Sequence, residues 1–194
     1  MNGADLTILI IDENRDRAAI LEAGLRESGY LNISLLETLN NVLGRVRTIN
    51  PDVIIIDIEK PTGEALEIVL QIPREAKRAV AMFMDSNDPD VINAAVAAGV
   101  GALVVNGLAK DRVKHVVDIA ISRFKAFHEL HNRLQEAETA LAERKIIEQA
   151  KGILMSQRSL TEGDAYALLR KTAMNEKKRI VEIARSIITA SKLI

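Results

Sequence analysis

The first 122 residues set short, unbroken apolar runs between stretches whose apolar positions recur every three or four residues. Leu6–Ile11 (LTILII) is such a run, the pattern of a strand buried on both faces of a parallel sheet. Asn32–Leu36, Val53–Ile56, Ala79–Met84 and Ala102–Val105 are read as the other strands. Between them, Arg15–Ser28 spreads Ala18, Ala19, Leu21, Ala23 and Leu25 around an amphipathic helix that stops at Gly29. Leu39–Ile49 predicts a second helix, and a third follows Pro61-Thr62-Gly63. A fourth takes Pro89 in its first turn, and a fifth begins at Asp111. Five strand–helix repeats predict an α/β fold, a doubly wound five-stranded parallel sheet with crossovers of the usual hand.

Beyond the fifth strand the rhythm changes. From Arg112 to Gln157 there is no proline, and Gly152 is the only glycine, so the fifth helix has no stop signal. Leu130, Leu134, Ala137 and Leu141 recur at 4-3-4 spacing, with Glu129, Arg133, Glu136, Glu138 and Glu143 outside the seam. This predicts a helical coiled-coil linker over 124–142 and a homodimer; the alternative is a seam packed on the chain's own helices. Phe124 and Phe127 are expected to pack where the rod leaves the globular part. Two further helices follow, one carrying Ala165, Leu168, Leu169, Thr172 and Ala173, the other Ile180, Ile183, Ala184, Ile187 and Ile188. Thr161 is the expected N-cap of the first, with Asp164 completing a carboxylate form of the capping box. The domains expected are therefore 1–123, the linker 124–142, and 143–194.

A length of 194 residues suits one ordinary core plus a small module, and 48% apolar with 3% aromatic content suits an aliphatic one. Zero cysteines exclude a disulfide framework and thiolate chemistry. No apolar run reaches the ~20 residues of a membrane span, and Met1–Leu6 lacks a basic lead into a signal-like stretch. A cytoplasmic protein with no membrane partner is expected. The net charge of −1 conceals an asymmetry: 143–194 holds eleven Lys/Arg against six Asp/Glu, a surplus of five positive charges. A basic end on an acidic body suits an anionic partner.

The tail's small, basic and apolar residues carry a resemblance. Ala150-Lys151-Gly152-Ile153-Leu154-Met155, then Ala165–Asn175 (AYALLRKTAMN), then Ile180-Val181-Glu182-Ile183-Ala184 resemble the ANTAR domain, in that order. The resemblance implies a module that binds leader RNA, as in antitermination regulators of the NasT and AmiR type. Lys151, Arg158, Arg170, Lys171, Lys177, Lys178 and Arg179 are the expected phosphate contacts, and Tyr166 can stack on an unpaired base. Gly152 and Ala165 would allow close approach of an RNA loop, or of another helix. Asn175 could read a base edge or end its helix, and Tyr166 could instead be a packing residue.

The first domain resembles a response-regulator receiver over 1–122, which implies the flavodoxin-like form of the sheet. Asp12 and Glu13 follow the first strand and Asp57 the third, where open α/β sheets bind ligands. The resemblance implies Mg²⁺ on Asp12, Glu13 and Asp57, with Asp57 as phosphoacceptor; hard oxygen ligands suit that ion. The chain departs from the family at two contacts. Met84 or Asp85 stands where Ser or Thr is usual, and Asn106 where Lys is usual. Methionine cannot donate to an aspartyl phosphate and asparagine brings no cation. A pseudo-receiver that requires no cofactor is expected, with Asp57 a structural remnant or docking residue.

No residue set suggests catalysis, since His115, His128 and His131 form no catalytic constellation, and Asp12-Glu13-Asn14-Arg15 is no dinucleotide fingerprint. The expected protein is not an enzyme. It is a transcription antiterminator that binds leader-RNA hairpins and prevents a terminator from forming, in nitrate/nitrite assimilation. Control is expected from a ligand-sensing repressor protein, as the NasT likeness implies, rather than from phosphorylation. The alternatives are a phosphorylation-dependent, DNA-binding two-component response regulator, and a regulatory module whose basic tail docks an acidic protein.

Overall fold

The computed structural model describes residues 5–191; 1–4 and 192–194, Lys192 among them, lie outside the described residues. The elements run β1 (Thr7–Asp12), α1 (Arg15–Glu27), β2 (Asn32–Leu36), α2 (Val42–Ile49), β3 (Val53–Asp57), α3 (Gly63–Ala76), β4 (Ala79–Met84), α4 (Pro89–Ala98) and β5 (Ala102–Val105). A 3-10 turn at Lys110–Arg112 leads into α5 (Val113–Arg158), followed by α6 (Glu162–Glu176) and α7 (Ile180–Ser191). Two compact units result, Met1–His128 and Glu129–Ile194, and their boundary falls inside α5.

In the first unit five parallel strands lie in the order β2-β1-β3-β4-β5. Alternation along each strand fills both faces. Ile8, Ile10, Val53, Ile55 and Phe83 pack with Leu21 and Leu25 of α1 and Val113, Val117 and Ala120 of α5. Leu9, Ile11, Ile54, Ile56 and Met82 pack with Val42 and Val46 of α2, Val69 and Ile72 of α3, and Val91 and Ala95 of α4. Two buried faces explain why the strands read as continuous apolar runs. The strand order reverses between β1 and β3, and there Asp12 and Asp57 stand in register at the carboxyl ends. That is the crevice where this class of sheet binds ligands.

Helix α1 buries Ala18, Leu21, Gly24 and Leu25, whereas Ala19 of the expected stripe is exposed. Gly24 has a packing reason: a Cβ there would come within 2.6 Å of the Lys110 carbonyl oxygen on the 3-10 turn. Gly24→Ala should therefore lower stability by roughly 1–2 kcal/mol, despite alanine's better helix propensity, because backbone must shift. A urea unfolding midpoint that rises instead would show that the turn yields freely. Helix α2 starts at Val42 rather than Leu39 because Asn41 takes a left-handed conformation (φ 50°).

In the second unit, Ala150 and Leu154 of α5 pack with Ala165, Leu169 and Ala173 of α6 and Ile183 and Ala184 of α7. Thr161 caps α6 by accepting from the Asp164 backbone N–H at 3.2 Å, and its hydroxyl donates to the Asp164 carboxylate at 2.7 Å. The expected cap is present, with the carboxylate bound to the threonine hydroxyl. Leu130, Leu134 and Leu141 are 68%, 56% and 56% exposed, and Ala137 is exposed with them, so within the second unit the seam is not covered by another helix. Phe124 is half-buried and stacks on His128 at 5.6 Å between ring centres, while Phe127 is exposed. Among the described residues no helix is long and apolar enough to cross a membrane.

Candidate nucleic-acid interface and acidic pocket

The spacing of α6 sorts its side chains. Ala165, Leu169 and Ala173 turn inward. Gly163, Tyr166, Ala167, Arg170, Lys171, Met174 and Asn175 line an open depression of about 310 Å³ on the outward side. Tyr166 is 44% exposed and stands one turn before Arg170. Lys171 and Asn175 are likewise one turn apart. One helix face thus presents an aromatic ring, two cations and an amide. A second depression of about 580 Å³ is lined by Arg170, Met174, Lys177, Lys178 and Arg179, together with Glu143, Ile147, Ala173, Ile180 and Val181.

The cations are not equally available. Lys178 pairs with Glu176 at 2.8 Å and Arg179 with Glu143 at 2.8 Å. Arg158, Arg170, Lys171 and Lys177 enter no ion pair among the described residues. Two expected contacts are corrected. Lys151 is 7% exposed, and its Nζ is held by Glu148 (2.9 Å) and Glu162 (2.7 Å). Those hydrogen bonds, Glu162 first, raise the Lys151 ammonium above its ordinary value. The bond from Lys151 lowers Glu162 in turn. Ala165 is fully buried against α5 and α7, which is the helix–helix contact left open by its small size. Gly152 is exposed, and a Cβ there would meet nothing within 4 Å, so packing gives no reason for glycine.

The acidic pocket, of about 340 Å³, is lined by Asp12, Glu13, Asn14, Asp57, Glu59 and Lys60 among others. Asn14 caps α1, accepting from the backbone N–H groups of Asp16 (3.0 Å) and Arg17 (3.3 Å), and its own N–H donates to Asp12 at 2.8 Å. The cap places Arg17 on the first turn, one turn before the buried Leu21. From there its guanidinium reaches over the strand ends. Nε donates to Asp57 Oδ2 at 2.8 Å, Nη2 to Asp57 Oδ1 at 2.7 Å, and Nη1 to Asp85 Oδ2 at 2.8 Å.

Sequence reasoning missed Arg17. The available signal was a charged residue at helical spacing from Leu21 on the inward face of α1. Asp85, beyond the end of β4, is answered by the same guanidinium. Met84 is buried at the end of β4. Asn106, left-handed at φ 50°, donates to Asn87 at 2.9 Å rather than to Asp57.

Burial raises Asp12 to about 6, helped by the neighbouring Asp57 charge and opposed by the Asn14 N–H and Arg17. Its Oδ2 is buried without a hydrogen-bond partner. Burial also raises Asp57, and Arg17 offsets part of that rise. The trio Asp12, Glu13 and Asp57 does not fit a divalent cation as it stands. Glu13 is exposed and outside the network, both Asp57 oxygens face Arg17, and no group of three or more His, Cys, Asp or Glu among the described residues could hold a metal.

The response regulator receiver domain family matches residues 8–118, and the ANTAR domain family matches 135–188. The transcriptional regulatory protein PdtaR of Mycobacterium tuberculosis is 24% identical over 162 residues, spanning 82% of this chain and 79% of that protein. The nitrate regulatory protein of Klebsiella oxytoca is 36% identical over 80 residues, 41% of this chain and 20% of that one. Among solved structures, the chemotaxis response regulator CheY4 of Vibrio cholerae superposes with a TM-score of 0.51 at 16% identity, covering 59% of this chain and 98% of that one. A signal receiver domain of a diguanylate cyclase from Desulfovibrio desulfuricans gives 0.54 at 19% identity, covering 62% and 97%. Both show the flavodoxin-like receiver fold alone. With a receiver domain over more than half its length and an ANTAR domain behind it, the chain belongs to the response-regulator receiver family, as a non-enzymatic regulator of transcription of the NasT and AmiR type.

Proposed function

We propose that the protein is an RNA-binding antiterminator, cytoplasmic and dimeric, whose ANTAR domain holds leader-RNA hairpins so that a downstream terminator does not form. The observation that carries this is the outward face of α6, where Tyr166, Arg170, Lys171 and Asn175 surround one depression. An exposed ring beside unpaired cations suits unstacked bases and their phosphates; unpaired loops, unlike duplex, offer both. No bond need be made or broken, since the protein only has to favour one RNA fold over its competitor.

The similarity to a nitrate regulatory protein supports nitrate/nitrite assimilation as the pathway. A ligand-sensing repressor protein is the proposed controller, because the receiver pocket lacks the hydroxyl and lysine that a phosphoryl switch reads. The apolar seam of α5 supports a homodimer, with a second copy covering Leu130, Leu134 and Leu141. The dimer would present two ANTAR domains to two hairpins. Leu134→Lys should convert the protein to monomer in analytical ultracentrifugation without loss of far-UV helicity; an unchanged mass would place the dimer contact elsewhere.

The deciding experiment is fluorescence anisotropy with leader hairpin RNA and with matched duplex DNA at one stated salt concentration. Tighter binding of the hairpin is expected, with affinity falling as salt rises. Tighter binding of duplex would make the protein a DNA-binding response regulator. Binding of neither would turn the basic tail toward an acidic protein.

A further inference from the structure

We infer that Arg17 is the resident cation of the acidic pocket, seated on Asp57 and Asp85 in the space that a divalent ion and a phosphoryl group would need. The receiver is thereby closed to both, independently of what the ANTAR domain binds. Three observations converge on this. First, the guanidinium is bidentate: Nε and Nη2 meet the two oxygens of Asp57 at 2.8 and 2.7 Å, the fork geometry that arginine matches to a carboxylate. Second, the Asp57 side chain has no exposed surface and that of Arg17 is 17% exposed, so solvent screens the pair little. Third, the remaining nitrogen Nη1 binds Asp85, the residue that follows β4. One cation thus ties the first turn of α1 to the ends of β3 and β4.

The arrangement is built in by local sequence. Asn14 accepts from the Arg17 backbone N–H as well as from that of Asp16, which fixes the turn from which the guanidinium reaches. Asn14 also donates through Nδ2 to Glu59 at 3.3 Å, beyond the end of β3. An ion bound at Asp57 would have to displace two charge-assisted hydrogen bonds and leave the guanidinium with Asp85 alone, which is disfavoured. The missing hydroxyl after β4 and the missing lysine after β5 belong with this exchange. Their work in a phosphoryl switch begins with access to Asp57, and here that access is taken.

The test uses the full chain, with Mn²⁺ as an electron paramagnetic resonance probe and ¹⁵N-arginine NMR. In the wild type, the Arg17 Nε–H signal should exchange slowly and stay unmoved by millimolar Mg²⁺, with no saturable Mn²⁺ binding in that range. In Asp57→Asn, which keeps the side-chain shape, the same signal should shift and exchange faster. In Arg17→Gln, saturable Mn²⁺ binding should appear within the millimolar range, at least about tenfold tighter than the limit set by the wild type, and it should vanish in Arg17→Gln/Asp57→Asn. Should Arg17→Gln fail to fold, the wild-type and Asp57→Asn measurements still decide. A wild-type Arg17 signal that moves on adding Mg²⁺, or Mn²⁺ binding equal in wild type and folded Arg17→Gln, would overturn the inference.

Discussion

Replacing Arg170 and Lys171 together by glutamate should weaken binding of hairpin RNA by about 100-fold or more, roughly 3 kcal/mol, while far-UV helicity stays the same. Both side chains are exposed on α6 and free of ion pairs among the described residues, so the fold loses nothing when they change. Removing two phosphate contacts should also flatten the dependence of log affinity on log salt by about 1.5. Reversing the charge adds repulsion to that loss. Tyr166→Ala tests the other half of the surface: loss of stacking should weaken binding by about 1–3 kcal/mol with the salt slope unchanged. Lys151→Ala is the instructive contrast, since its ammonium already holds Glu148 and Glu162. It should lower the melting temperature of the terminal helices and disturb RNA binding only through that loss of structure. An intact salt slope and affinity in the Arg170→Glu/Lys171→Glu variant would remove α6 from the interface.

How much of this could be read in advance depends on the range of the interaction concerned. The bounds of β2, β4 and β5 agree with the expected strands, and in β4 burial at every position leaves its mark residue by residue. The Thr161 cap was equally legible, being a contact across three residues. The start of α2 was not, because the pattern Leu39, Val42, Leu43 allows an earlier first turn and only the left-handed Asn41 forbids it. The functional surfaces follow the same division. Tyr166, Arg170, Lys171 and Asn175 could be grouped from helical spacing alone. Whether Lys151 faced solvent could not, since its partner Glu162 lies across a turn on another helix. Arg17 shows the limit most clearly. Its partners Asp57 and Asp85 are 40 and 68 residues away, and only the sheet brings them together.

Asp12→Asn should make the protein more stable at pH 8, by up to about 3 kcal/mol, and the advantage should fade as the pH drops toward 4. Burial lifts the Asp12 carboxyl from 3.8 to about 6 in the folded chain. Between those two values the folded state holds a proton that the unfolded state has released. Native stability therefore falls as pH rises through this window, and above about 6 the fold carries the full cost of a buried charge beside Asp57. Asparagine removes the charge while keeping an oxygen for the Asn14 N–H, now at 2.8 Å from Asp12 Oδ1. Its amide can also donate toward Asp57, where Asp12 Oδ2 now has no partner. Paired urea titrations of the two proteins between pH 4 and pH 8 report this group together with its neighbour Asp57, because the more distant titrations are common to both. A difference that stays constant across that range, or grows on acidification, would mean that Asp12 keeps its charge when buried. The Arg17 guanidinium, rather than a proton, would then be what neutralises the whole cluster.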